Sequence, residues 1–186
     1  MKRIDFDNGK TLNNILATAV PMFVAQIINL LYNVVDRIYI ARIPVLGTAA
    51  LGAVGLCFPI VILITAFTNM YGSGGAPLFS IARGQKNEER AKQIQNTSFF
   101  LLIITGVALM LFGELFGEII LRMFGASDSS IIYALPYLRI YLLGTVFSMI
   151  ATGMNPFITA QGYSIVGMTT IMVGAIANIV LDPVFM

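Results

Sequence analysis

Apolar residues run along this 186-residue chain in stretches far longer than one face of a soluble helix requires. No charged side chain occurs from Thr11 to Val35, a run of 25 positions, or from Ile43 to Ala82, a run of 40. The same holds from Gln93 to Gly113, a run of 21, and from Ile140 to Leu181, a run of 42. A helix needs about 20 apolar residues to cross the hydrocarbon core of a bilayer. The 40-residue run exceeds one span but lacks the polar turn that two would need. Its latter part, Asn69 to Gly75, is rich in Gly and Ser and predicts an irregular continuation into the interface. The 42-residue run is punctuated by Asn155-Pro156 and Gln161-Gly162, so it supplies most of two spans. The pattern predicts an all-α, polytopic transmembrane bundle of about five helices, near 13–41, 47–80, 91–114, 129–160 and 164–186. A cytoplasmic N-terminal segment, 1–12, precedes them.

Composition agrees with this placement. Hydrophobic residues make up 58% of the chain and charged residues 11%, and the mean hydropathy is +0.86. Soluble domains carry about 25% charged residues, so a soluble globular protein, a disordered tail and a nucleic-acid binder are excluded. The net charge of +2 gives no reason to expect a polyanionic partner. Histidine is absent and Cys57 is the one cysteine, which rules out Cys/His zinc sites, intrachain disulfides and Ser-His or Cys-His catalysis. Cys57 reads as a small hydrophobe among apolar neighbours. Gly72-Ser73-Gly74-Gly75 is not a phosphate loop, because no Gly-Lys-Ser/Thr follows it. No catalytic residue, enzyme activity or cofactor is expected.

The basic residues set an orientation. Lys2, Arg3 and Lys10 precede the first span, and Arg83, Lys86, Arg90 and Lys92 follow the second, together seven of the eleven Lys and Arg. The opposite loops hold Arg42 and Arg122, while Arg37 and Arg139 lie near helix ends. The positive-inside rule then places the N-terminus in the cytoplasm of a multi-pass plasma-membrane protein. Met186 ends an apolar run with no polar tail, so the chain reads as incomplete at its C-terminus.

Polar chemistry concentrates on the first helix. At about 100° per residue, with Asp36 at 0°, Asn33 falls near +60°, Tyr32 near −40°, Asn29 near +20° and Gln26 near +80°. These five share an arc of about 120° that runs roughly 15 Å along the axis. An Asp near the centre of a membrane helix costs about 2.5–3.5 kcal/mol on insertion scales, so such a stripe favours a water-filled or protein-lined cavity over lipid. The fifth helix repeats the signature: Asn178 and Asp182, four residues apart, stack on one face. A carboxylate beside an amide oxygen suits a hard cation such as Na⁺, and two facing carboxylates would instead share a proton. Asp36, Asn178 and Asp182 are therefore candidates for a site that takes up Na⁺ or H⁺. Pro21 is expected to kink the first helix by removing one backbone bond. Tyr133, Tyr137 and Tyr141 recur every four residues and read as a belt or packing seam.

Three stretches also carry a resemblance. YNVVDRIYIARI from Tyr32, GSGGAPLFSIARGQKNEERAK from Gly72, and NIVLDPVF from Asn178 resemble the MATE family, the multidrug and toxic compound extrusion transporters. The resemblance covers the chain from the first helix to the fifth. It implies five helices of a six-helix N-lobe, in a fold of twelve helices arranged as two lobes, that exports amphipathic organic cations or drugs against Na⁺ or H⁺. Asp36 would be the family's acidic residue of the first helix, and Asn178 with Asp182 its partners on the fifth. Pro21 would be the hinge proline, and Tyr32 and Tyr137 would line the substrate cavity with Gln26, Asn29 and Asn33. The sixth helix and the second lobe, which would supply the opposite wall, are missing from this sequence.

Two other functions fit parts of the pattern. A flippase for lipid-linked precursors would need a strongly basic cavity, and the cavity helices carry few Lys or Arg. A non-transporting, truncated membrane subunit would follow from the missing helices.

Overall fold

The computed structural model describes Ile4 and residues 11–43 and 47–185, apart from the side chains at 178 and 181–185. Five helices follow one another: α1 (Thr11–Ala41), α2 (Gly47–Gly84), α3 (Glu88–Met123), α4 (Asp128–Ala160) and α5 (Ser164–Phe185). Among the described residues, α1 to α4 are long and apolar enough to cross a membrane, and α5 contributes a shorter apolar piece, Ser164–Ala177. Large apolar side chains stand outward, Met123 at 81% exposure, Phe147 at 77% and Leu115 at 76%. In water such faces would aggregate, whereas lipid tails solvate them. The chain is an all-α, multi-pass membrane protein.

Three turns are built alike. After α2 the N–H of Asn87 bonds Ala82 O at 2.9 Å and that of Lys86 bonds Arg83 O at 2.9 Å. After α3 the pairs are Ala126 to Leu121 O and Gly125 to Arg122 O, both 3.0 Å, and after α4 they are Tyr163 to Ile158 O, 3.2 Å, and Gly162 to Thr159 O, 2.9 Å. This paired closure satisfies the last carbonyls of a helix and needs one residue with a left-handed backbone. Gly125 (φ 93°) and Gly162 (φ 91°) take that conformation without a Cβ penalty, and Lys86 (φ 57°) takes it after α2. The Oδ1 of Asn87 then accepts the Arg90 N–H at 3.0 Å, which opens α3 with Glu88 and Glu89 in its first turn.

The helix ends that depart most from the pattern-based expectation are the C-terminal ends of α2 and α3. α3 runs on to Met123 instead of stopping near 114, because its charges occur at helical spacing and pair: Arg122 Nε lies 3.0 Å from Glu118 Oε1, and Arg122 Nη1 lies 2.9 Å from Asp128 Oδ1. The Gly-rich end of α2 is also regular helix, through Gly84.

The chain forms two compact units, one of Met1–Ile43 with Asn155–Met186 and one of Pro44–Met154. In the second unit α2 packs along α3, and glycines let helices approach closely. A Cβ placed on Gly113 of α3 would stand 2.6 Å from Leu142 of α4, and one on Gly153 of α4 would stand 2.7 Å from Leu102 of α3. One on Gly72 of α2 would meet the Gly153 carbonyl oxygen at 2.5 Å. Helices in lipid gain little from hydrophobicity and rely on such close approach. Cys57 lies fully buried in this core, its thiol 3.5 Å from Ala134 O.

Gly72→Ala therefore has to push α2 and α4 apart and should cost roughly 1–3 kcal/mol of stability. Gly74→Ala, where a Cβ meets nothing within 4 Å, should leave stability unchanged or raised. Thermal unfolding in detergent checks the pair, and equal loss in both variants would refute the close crossing.

Candidate functional site

In the first unit α1 packs along α5, and this contact decides which polar residues of α1 leave the surface. The less exposed positions are Asn14, Thr18, Pro21, Ala25, Ile28, Asn29, Tyr32, Val35, Asp36, Tyr39 and Ile40, a repeat of threes and fours that keeps one face turned inward. Ala25 and Ile40 are fully buried on it. The predicted stripe is thereby divided. Asn29, Tyr32 and Asp36 are half-buried on the packed face, whereas Gln26 and Asn33 are exposed at its rim. The helical angles account for the split, since Ile40, near +40°, is buried and Asn33, near +60°, is not. Rim and face stay connected: Asn33 Nδ2 donates to Asn29 O at 2.7 Å and to Asn29 Oδ1 at 3.2 Å.

Pro21 lies half-buried inside α1, which continues through it. Its ring removes the donor that would bond the Ala17 carbonyl. One turn earlier the Thr18 hydroxyl donates to Asn14 O at 2.9 Å.

The less exposed positions of α5 are Ser164, Val166, Gly167, Met168, Thr169, Ile171, Met172 and Ala175, three of them fully buried. Positions 178 and 182 follow Ala175 by three and seven residues on the helix. The side chains of Asn178 and Asp182 lie outside the described residues. The Ile4 N–H donates to Gly162 O, in the turn before α5, at 3.0 Å.

A polar clasp that sequence reasoning missed holds the start of α5. Asn155 Nδ2 donates to Gly167 O at 3.1 Å and to Thr170 Oγ1 at 2.9 Å, and Thr170 Oγ1 donates to Gly167 O at 2.7 Å. A Cβ on Gly167 would stand 2.7 Å from Asn155 Oδ1 and 3.1 Å from Thr159 Oγ1. In sequence, Asn155-Pro156 reads as punctuation, yet α4 passes through it and turns only after Ala160. The available signal was an amide in an uncharged run, which in a membrane needs a partner.

Tyr137 is placed differently from the α1 residues. It belongs to the second unit, on α4, where its ring stacks on Tyr141 with centroids 6.5 Å apart and planes 23° from parallel.

Asn155→Ala removes both clasp bonds and should cost about 1–2 kcal/mol. Gly167→Ala should cost less in that background than in the parent, because the methyl then meets no amide oxygen. Unfolding of the two single variants and the double variant measures the coupling, and strict additivity would contradict it.

Comparison with known proteins follows the same outline. A sequence model described as MatE matches residues 21–184. The chain is 31% identical over 165 residues to the "Probable multidrug resistance protein YoeA" of Bacillus subtilis (strain 168), covering 89% of this chain and 35% of that protein. It is 23% identical over 179 residues to the "Multidrug export protein MepA" of Staphylococcus haemolyticus, covering 96% of this chain and 39% of the relative. The chain thus spans well under half the length of these relatives. Among solved structures, a MATE crystallised in complex with MaD3S superimposes with a TM-score of 0.89 at 28% identity, over 95% of this chain and 39% of that one. The match along nearly the whole chain, with the same helical fold, shows that this chain belongs to the MATE family.

Proposed function

We propose that the chain supplies the ion-coupled N-lobe of a secondary active exporter of amphipathic organic cations and drugs, driven by antiport of Na⁺ or H⁺. The observation that carries this reading is the packed face of α1, where Asp36, Tyr32 and Asn29 turn away from the lipid-exposed side. The names of the relatives, a multidrug resistance protein and a multidrug export protein, support the substrate class.

In this reading Asp36 binds the coupling ion with Asn178 and Asp182 of α5. Carboxylate and amide oxygens can hold Na⁺, and the carboxylates alone can hold H⁺. Gln26 and Asn33, both exposed at the rim and the latter bonded to Asn29, stand where a drug would touch α1. Uptake of the ion removes the charge that favours a bound organic cation, and α1 repacks about Pro21, where one backbone bond is already absent. The ion must bind the two states unequally, because a ligand with equal affinity for both shifts nothing. The opposite wall of the cavity comes from a second lobe. The protein sits in the plasma membrane with its N-terminus in the cytoplasm, the side on which Arg83, Lys86, Arg90 and Lys92 cluster.

Exchange of one monovalent ion for one monovalent drug moves no net charge. A second ion makes each cycle electrogenic and adds about 2.3 kcal/mol per 100 mV. Two separate acids, Asp36 and Asp182, give the lobe room for either stoichiometry.

Asp36→Asn should abolish dye efflux from cells, by at least about tenfold, while the protein still reaches the membrane. Efflux at the parental rate in that variant would remove Asp36 from the mechanism.

A further inference from the structure

Glu114 and Arg139 stand together on neighbouring helices at one edge of the apolar layer, and neither enters the transport reading. The uncharged stretch of α3 ends at Glu114, and the long uncharged run of α4 and α5 begins just after Arg139. Leu142 and Leu138 of α4 reach Gly113 and Gly117 of α3 on either side of the pair, which holds the two backbones close.

The two arginines of this region are used differently. Arg122 spends its guanidinium on Glu118 and Asp128, at 3.0 and 2.9 Å. The Nε of Arg139 is 3.7 Å from Glu114 Oε2, beyond hydrogen-bond reach, and Arg139 donates no hydrogen bond to any described residue. Its side chain is 56% exposed, that of Glu114 only 29%. Arg139 shares a helical column with Ile132, Leu143 and Phe147, all exposed. A guanidinium with open donors therefore sits among exposed apolar side chains, at the edge of the charge-free runs of α3 and α4.

We propose that Arg139 seats the phosphate of a membrane phospholipid, and that the acids beside it select a headgroup that carries an ammonium. The planar guanidinium can give two parallel N–H bonds to a phosphate. Glu114, Glu118 and Asp128 outnumber Arg122 and Arg139 by one charge, so the patch disfavours a purely anionic lipid. A zwitterionic phosphatidylethanolamine matches it, with its phosphate on Arg139 and its ammonium toward Glu114 and Glu118. The acyl chains then lie along Leu143 and Phe147. This seat requires only that the helices cross a membrane, and it stands or falls independently of the transport reading.

Native mass spectrometry of the purified, delipidated protein, titrated with phosphatidylethanolamine or phosphatidylglycerol in detergent, tests the proposal. The parent should retain the ethanolamine lipid in preference, and Arg139→Gln should weaken that retention about tenfold. Glu114→Gln should erase the preference, with the glycerol lipid then bound as well as the ethanolamine lipid. Retention in Arg139→Gln equal to the parent, or a parent that prefers phosphatidylglycerol, would overturn it. Should Arg139→Gln not fold, the selectivity change in Glu114→Gln decides alone, and an unchanged preference there would overturn the seat.

Discussion

A carboxylate on a helix that crosses a membrane is favoured where that helix turns the acid away from lipid. The rest of the first unit follows from this constraint. α1 exposes nearly its whole apolar circumference, and it packs α5 along the arc that carries Asn29, Tyr32 and Asp36. Small residues are buried on both helices, Ala25 on α1 and Ala175 on α5, while Gly167 faces Asn155 and Thr159 of α4. The clasp from Asn155 to Gly167 and Thr170 then orients the start of α5.

The second unit packs its helices through small residues. Glycine on one helix receives leucine from the next, in both directions between α3 and α4. Each crossing is tight enough that one added methyl group meets a neighbouring atom, which leaves little room for gradual deformation.

Much of the fold was legible in the sequence because the signals are long-range averages. Charge-free runs fix where helices cross, and Gly125 and Gly162 mark two of the turns. The end of α3 was not legible from charge alone, since Glu114, Glu118 and Arg122 look like the close of a span until their four-residue spacing and the reach of Asp128 are considered. Lys86 hides a left-handed turn that pattern assigns to glycine. Within the candidate site, the arc of five polar residues on α1 was visible from helical geometry. The division between face and rim was not, because it depends on where α5 lies. The pairing of Asn155 with Gly167 depends likewise on how α4 and α5 meet, which no spacing rule encodes.

The central claim is that ion and drug compete through the acids of α1 and α5. The most direct measurement is the affinity of the purified protein for a fluorescent organic cation, as Na⁺ concentration and pH are varied separately. Drug binding should weaken as Na⁺ rises or as pH falls, and both dependences should vanish when Asp36 and Asp182 are replaced by Asn. An affinity indifferent to Na⁺ and pH in the parent would contradict the account.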